Sequence, residues 1–265
     1  VACLVGSEMC IRDRYDPIKY ALKGGGKRLR PILTHLVGRT YNTDPNSLMS
    51  ISLAIELLHN FTLIHDDIMD KDTIRHSQKT IHHKWDTSTA ILAGDGIYTI
   101  AQLVLNSIDR YDKEINKCFN EVTLDICEGQ ALDKEFENLE NVTEDLYFEM
   151  IKKKTGSLIA AATMLPSIYA EDDIDNTELF RTFGESLGKG FQIHDDLLEI
   201  TSDSKIMGKS LDSDIFEGKQ TIMVIKAKQY FKESWDSIVF NSKKSDLKKN
   251  MYAFFNEKKI IEETK

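Results

Sequence analysis

The stretch NSLMSISLAIELLHNFTLIHDDIMD, residues 46–70, carries apolar side chains at positions 51, 53, 54, 55, 57, 58, 61, 63 and 64. At the helical period these positions wrap nearly all the way round the cylinder, the pattern of a helix buried at the centre of a fold. The stretch ends on Asp66-Asp67-Ile68-Met69-Asp70, which places three carboxylates against the most apolar part of the chain. Before it, a short amphipathic stretch from Tyr15 to Leu22 and the turn Gly24-Gly25-Gly26 lead to Ile32, Leu33, Leu36 and Val37 at helical spacing, so a helix is predicted to begin near Pro31. After it, helical patterns recur at about 87 to 108, 112 to 138, 143 to 165, 176 to 200 and 219 to 232, joined by short polar segments such as Ala170 to Asn176. There is no convincing strand alternation, and four prolines and fourteen glycines are too few for a sandwich or barrel. The expectation is an all-α fold.

The chain of 265 residues has 34 basic and 43 acidic side chains and a formal charge of −9, which argues against a nucleic-acid surface and requires any anion site to be local. No run of eighteen uncharged apolar residues and no basic n-region with an apolar h-region is present, so the expectation is a cytoplasmic protein with no membrane span. Cys3, Cys10, Cys118 and Cys127 have neither metal-ligand nor disulfide-framework spacing. Residues 1–14, VACLVGSEMCIRDR, lack a helical period and resemble translated sequencing-adapter sequence; the coherent domain is expected to be 15–265. From Asn241 the tail is rich in lysine and asparagine. There Met251, Phe254, Phe255, Ile260 and Ile261 suggest an amphipathic helix that stops without a partner, as if the C-terminus were cut short.

Asp195-Asp196-Leu197-Leu198-Glu199 repeats the acid, acid, x, x, acid pattern of residues 66–70. Composition alone supplies about one such triplet by chance. Glu171, Asp172 and Asp175 fit that description, lying in a polar connector where solvated charge costs nothing. The other two sets sit at the ends of apolar helical stretches, and residues three and four apart share a helix face, so each set stacks its charges. Partly buried carboxylates cost about several kcal/mol without a counter-charge. A cation is the economical explanation. Oxygen-only donors with no accompanying His/Cys set point to Mg²⁺ rather than zinc, with a phosphate completing the shell, and make Asp66, Asp67, Asp70, Asp195, Asp196 and Glu199 the candidate metal ligands.

Gly24-Gly25-Gly26-Lys27 is not a P-loop, because arginine follows Lys27 and no strand precedes it. Lys27 and Arg30 instead stand three apart at a helix start, where free N–H groups, the dipole and two cationic side chains favour a polyanion. Arg75 follows the first acidic set, and Lys152-Lys153-Lys154-Thr155, Lys209 and Lys219 are spread through the later helices. His59 precedes Asp66 by two turns and so lies on its face; a satisfied core histidine and a functional one are both open readings.

The motifs GGGKRLRP, HNFTLIHDDIMD, AILAGD, KKTGSL, FQIHDDLLE and GKSLDSDIFEGKQT stand in the order found in trans-type polyprenyl diphosphate synthases, and from about Tyr15 onward the chain resembles that family. The resemblance implies a helical bundle around a deep central cavity, with the two acidic segments facing each other at its mouth, usually in a homodimer. It also implies three Mg²⁺ ions bridging both carboxylate sets to an allylic diphosphate, which ionises and adds the double bond of isopentenyl diphosphate. By resemblance Lys27, Arg30 and His59 hold the isopentenyl diphosphate. Arg75, Lys154, Lys209 and Lys219 hold the allylic diphosphate, and Thr155 and Gln192 place oxygen dipoles near the developing cation. One departure is Arg75-His76, where the family usually has paired arginines; His76 is a weaker, pH-dependent anion partner expected to loosen isopentenyl diphosphate binding.

Phe61 lies five residues before Asp66, about 7.5 Å along the helix axis. A bulky ring there is expected to act as a floor for the growing chain. An aromatic at this position without an insertion in the acidic motif is associated in the resembled family with short products, and Thr62 adds no second aromatic, so a C20 product is expected ahead of C15. Two competing readings make different demands. A class I terpene cyclase normally carries an Asn/Ser/Glu metal motif where this chain has residues 195–199, and a non-catalytic regulatory subunit is expected to have lost an acidic set or the Lys27/Arg30 pair, all of which are intact.

Overall fold

The computed structural model describes residues 15–108, 113–201, 219–243 and 246–265. In chain order the elements are α1 (Asp16–Leu22), α2 (Leu29–Thr40), α3 (Pro45–Met69), a hairpin of β1 (Ile74–Arg75) and β2 (Gln78–Lys79), α4 (Ile81–Lys84), α5 (Thr87–Leu105) and α6 (Lys113–Phe136). There follow α7 (Glu144–Ile151), a π-helical turn (Lys152–Gly156), α8 (Ser157–Tyr169), α9 (Ile174–Thr201), α10 (Ile222–Asn241), α11 (Leu247–Glu257) and α12 (Ile260–Thr264). The described residues form two compact units, those within 15–119 together with 162–177, and those within 120–161 together with 178–265. The segment 1–14 lies outside the described residues.

In the first unit α3 packs against α5 and α2. Its start is fixed locally: Pro45 occupies the first turn, and the Asp44 carboxylate accepts from the Ser47 amide at 2.8 Å. Ile51, Ala54, Ile55 and Leu58 are wholly buried, each large side chain contributing about 1.5–3 kcal/mol. The expectation of burial all round the cylinder is corrected on one side, where Met49 is 58% and Leu53 41% exposed. By length and composition α3 and α5 could cross a membrane; here both contribute to the packed core of this unit. The connector after α8 is held by its own acids: Asp172 accepts from the Tyr41 hydroxyl, and Asp173 from the Asn176 amide at 2.8 Å. Asp175 already lies inside α9.

In the second unit the expected helix over 143–165 is divided by the π-turn, which a periodicity search cannot see because every residue of the turn remains helical in pattern. The terminal segment does have a partner. The Phe255 ring stacks on Trp235 at 5.4 Å, and Met251, Phe254, Ile260 and Ile261 join the same buried cluster with α10, which continues past residue 232 to Asn241. The expected unpartnered helix is therefore corrected, because its apolar face meets residues too far away in sequence for periodicity to connect.

The hairpin, which no alternation announced, pairs Ile74 with Lys79 and Arg75 with Gln78. Its two loop residues, His76 and Ser77, have φ of 48° and 62°. Tight hairpin loops of this kind need positive φ at both central residues, a conformation that costs a residue with a β-carbon about 1–2 kcal/mol. Ser77→Gly should therefore raise stability by about 0.5–1 kcal/mol once glycine's greater chain entropy is set against the relieved strain. A thermal melt should show a rise of about 1–4 °C. An unchanged or lower melting temperature would remove the strain argument.

Candidate active site

The C-terminal end of α3 places Asp66 partly exposed and Asp67 and Asp70 buried, with Asp72 buried just beyond. Asp70 ends the helix, its amide donating to the Asp66 carbonyl at 2.8 Å. The hairpin delivers Arg75 to this cluster: its Nε is in close contact with Asp67, and Nη2 lies 3.3 Å from Asp72 Oδ2. Burial works against the guanidinium charge, but Asp67 and Asp72 outweigh it and hold the Arg75 pKa above its ordinary value. Sequence reading aims Arg75 at a diphosphate; in the structure it braces two acids.

His59 is partly buried on the same helix. Its pKa lies well below the usual imidazole value, first because of burial and then because Arg30, Arg75, His76 and Arg28 add positive charge around it. Near pH 7 the ring is neutral. Arg30 is itself lowered to about 10 by burial, with Glu56 opposing, and its buried Nε has no hydrogen-bond partner. Glu56 is also bound by Arg28. The fold thus places Arg28, Arg30, Arg75 and His76 around His59, with Glu56 pairing Arg28 and with Asp67 and Asp72 pairing Arg75, while among the described residues the Arg30 Nε is left as a donor that suits an anion. Lys27 is exposed on the coil before α2, and His76 is exposed at the hairpin tip.

Phe61, partly buried, makes an edge contact with His65 at 4.7 Å and a tilted contact with Tyr98 of α5 at 5.3 Å. His65 fits because residue 94 is glycine, whose added β-carbon would lie 2.3 Å from the His65 Nε2. Sequence reading missed Tyr98, since a tyrosine within an apolar helix carries no local mark.

In the second unit, Asp196 is 6% exposed and accepts from three donors. These are the Tyr147 hydroxyl at 2.7 Å and the Ile222 amide at 3.2 Å, both to Oδ2, and Gln192 Nε2 at 3.0 Å to Oδ1. Burial pushes the Asp196 carboxyl up to about 6, with these donors pulling the other way. The Tyr147 pKa rises through its own burial and the adjacent carboxylate. The Gln192 carbonyl accepts from Thr155 at 2.9 Å, and Lys154 Nζ bonds Asp133 Oδ2 at 2.6 Å. Both Thr155 and Lys154 lie on the π-turn, seated so closely that a β-carbon on Gly129 would fall 2.3 Å from the Lys154 amide nitrogen. Asp195 and Glu199, on one face of α9, are partly exposed.

Gln130, buried on α6, has neither amide atom partnered. Asp196, Glu199 and partly buried Lys219 line a cavity of about 350 Å³ whose wall includes Met223, Trp235 and Phe255. Lys209 lies outside the described residues.

Among the described residues no three His, Cys, Asp or Glu side chains converge closely enough to enclose a cation unaided. The donor set is nevertheless suited to a hard ion. Asp66, Asp195 and Glu199 carry carboxylate oxygens at partly exposed positions, and oxygen donors of this kind suit Mg²⁺. Asp67 is bonded by Arg75, and Asp196 by Tyr147, Gln192 and the Ile222 amide, contacts that sequence spacing does not reveal.

The sequence profile of the polyprenyl synthetase family matches residues 13–255. The geranylgeranyl diphosphate synthase of Methanosarcina mazei is 40% identical over 218 residues, covering 81% of this chain and 67% of that protein. The geranylgeranyl pyrophosphate synthase of Geoglobus acetivorans is 43% identical over 216 residues, covering 80% and 67%. The chain thus spans about two thirds of the length of these relatives. A crystal structure of a geranylgeranyl pyrophosphate synthase superposes with a TM-score of 0.88 at 33% identity, covering 97% of this chain and 82% of that one. A polyprenyl synthase from Caulobacter crescentus, solved with calcium and isoprenyl diphosphate, superposes with a TM-score of 0.86 at 25% identity, covering 98% and 79%. With this profile matched nearly end to end and an all-α fold shared with solved synthases, the chain belongs to the polyprenyl synthetase family.

Proposed function

We propose that the chain is a prenyltransferase that condenses isopentenyl diphosphate head-to-tail with an allylic diphosphate, making an all-trans prenyl diphosphate of C20 length. The reading rests on one observation above the rest: oxygen-only acidic helix ends in a chain that also sets His59 beside Arg30, whose buried guanidinium Nε has no hydrogen-bond partner among the described residues. The relatives that are 40% and 43% identical support the C20 assignment by their own products.

Arg30, with Lys27 and neutral His59, holds the isopentenyl diphosphate. Lys154, Lys219 and Lys209 hold the allylic diphosphate, and Arg75 serves that site indirectly by fixing Asp67. Asp66, Asp67 and Asp70 at one acidic set and Asp195, Asp196 and Glu199 at the other would hold Mg²⁺, three ions by family resemblance, which when bound would supply Lewis-acid stabilisation of the departing diphosphate. The allylic carbon–oxygen bond breaks with its electron pair leaving on pyrophosphate. The double bond of isopentenyl diphosphate then forms the new carbon–carbon bond, and a proton departs to the pyrophosphate as the new double bond closes. Thr155 and Gln192 orient oxygen dipoles toward the developing positive charge. Apolar walls exclude the water that would otherwise capture the cation.

The same reading extends to a cytosolic homodimer. Ile91, Leu92 and Leu103 of α5 are 43%, 70% and 56% exposed, and positions 92 and 103 are about three turns apart on one stripe.

Asp66→Ala and Asp195→Ala should each reduce turnover of isopentenyl and farnesyl diphosphates by several orders of magnitude, measured by radiolabel incorporation. Retention within about threefold of wild type, less than about 0.7 kcal/mol of barrier, would exclude a metal-binding role. Phe61→Ala should lengthen the products at similar total turnover, read by chromatography of the hydrolysed prenols. Lower stability with the same product distribution would assign Phe61 to packing with His65 and Tyr98.

A further inference from the structure

Tyr147 is 1% exposed in α7, and its ring is surrounded by the apolar cluster of the second unit. Packing alone would be served by phenylalanine, so the hydroxyl needs its own explanation. It donates to Asp196 Oδ2 at 2.7 Å. From Asp196 the hydrogen bonds continue to Gln192 at 3.0 Å and on to Thr155 at 2.9 Å, while the amide of Ile222 closes on the same carboxylate at 3.2 Å. One buried carboxylate therefore ties together α7, α9, the π-turn and the first turn of α10.

We propose that Tyr147 is a positioning residue for diphosphate binding, acting through Asp196; this rests on the prenyl-transfer reading above. Drawn inward by three donors, Asp196 fixes the rotation of α9. Asp195 lies one residue earlier, about 100° round the helix, and Glu199 shares its face, so both are set toward the partly exposed side. The same bonds hold the Gln192 amide so that its oxygen receives the Thr155 hydroxyl, which sets the π-turn beside Lys154. Removing the tyrosine hydroxyl leaves Oδ2 with only the longer amide contact. A buried carboxylate short of donors reorients toward other partners, and Gln192, Thr155 and the acid face move with it.

The test is steady-state kinetics of purified Tyr147→Phe with isopentenyl diphosphate, farnesyl diphosphate and Mg²⁺ varied in turn, alongside a thermal melt. The expected result is an apparent KM for farnesyl diphosphate and a half-saturating Mg²⁺ concentration raised about five- to tenfold, with the KM for isopentenyl diphosphate within about twofold of wild type. A purely structural tyrosine would instead lower kcat with the folded fraction and leave every KM unchanged, which overturns the proposal. An equal rise in both substrate KM values overturns it as well. Should Tyr147→Phe not fold, Gln192→Leu removes a different donor to Asp196 and must show the same split between the two substrates; unchanged KM values there also refute the proposal. Wild-type protein that makes no prenyl product defeats the functional reading and this inference together, whereas active wild type with a kinetically silent variant defeats this inference alone.

Discussion

A carboxylate placed against an apolar helix must be given partners, and much of the candidate site is arranged to supply them. Asp67 and Asp72 are answered by Arg75, which requires a hairpin immediately after α3 to bring the guanidinium back. Asp196 is answered by Tyr147, Gln192 and the Ile222 amide, which requires α7 and the start of α10 to meet α9 at that point. Removing one partner from a buried charged pair typically costs about 3–5 kcal/mol. The acidic segments therefore constrain their neighbours as strongly as the apolar core does.

The cationic residues follow the opposite logic. Arg28 and Arg30 have Glu56 near them, while His59 is kept neutral by burial and by the surrounding positive charge. A chain of net charge −9 thus pairs Arg28 and Arg75 with nearby carboxylates. Its unpartnered Arg30 Nε is a donor held in place before any anion arrives, and a preorganised donor incurs little reorganisation when the charge appears.

The π-turn Lys152–Gly156 links these themes in the second unit. A single wide turn changes the phase of the helix, so Lys154 reaches Asp133 while Thr155 reaches Gln192. Its seat depends on missing side chains: a β-carbon on Gly188 would lie 2.5 Å from the Gly156 α-carbon, and one on Gly129 would strike the Lys154 backbone. Small residues admit the backbone, and hydrogen bonds then choose its conformation.

The sequence by itself determined the helical class and the family, because both are written in local spacing and motif order, and it singled out the two acidic sets and the charged residues as candidates. Spacing and context also set the loop acids at 171–175 apart, since a polar connector exerts no desolvation penalty. Tertiary structure alone decided which protein groups brace Asp67 and Asp196: spacing marks the acids, and only packing brings Arg75 and Tyr147 to them. It likewise found Tyr98 beside Phe61, Tyr147 beneath Asp196 and Trp235 against Phe255. In each case the partner is remote in sequence. An apolar pattern specifies which face of a helix is buried, whereas the side chain it meets there, and the hydroxyl or guanidinium that side chain carries, is fixed only when distant elements pack.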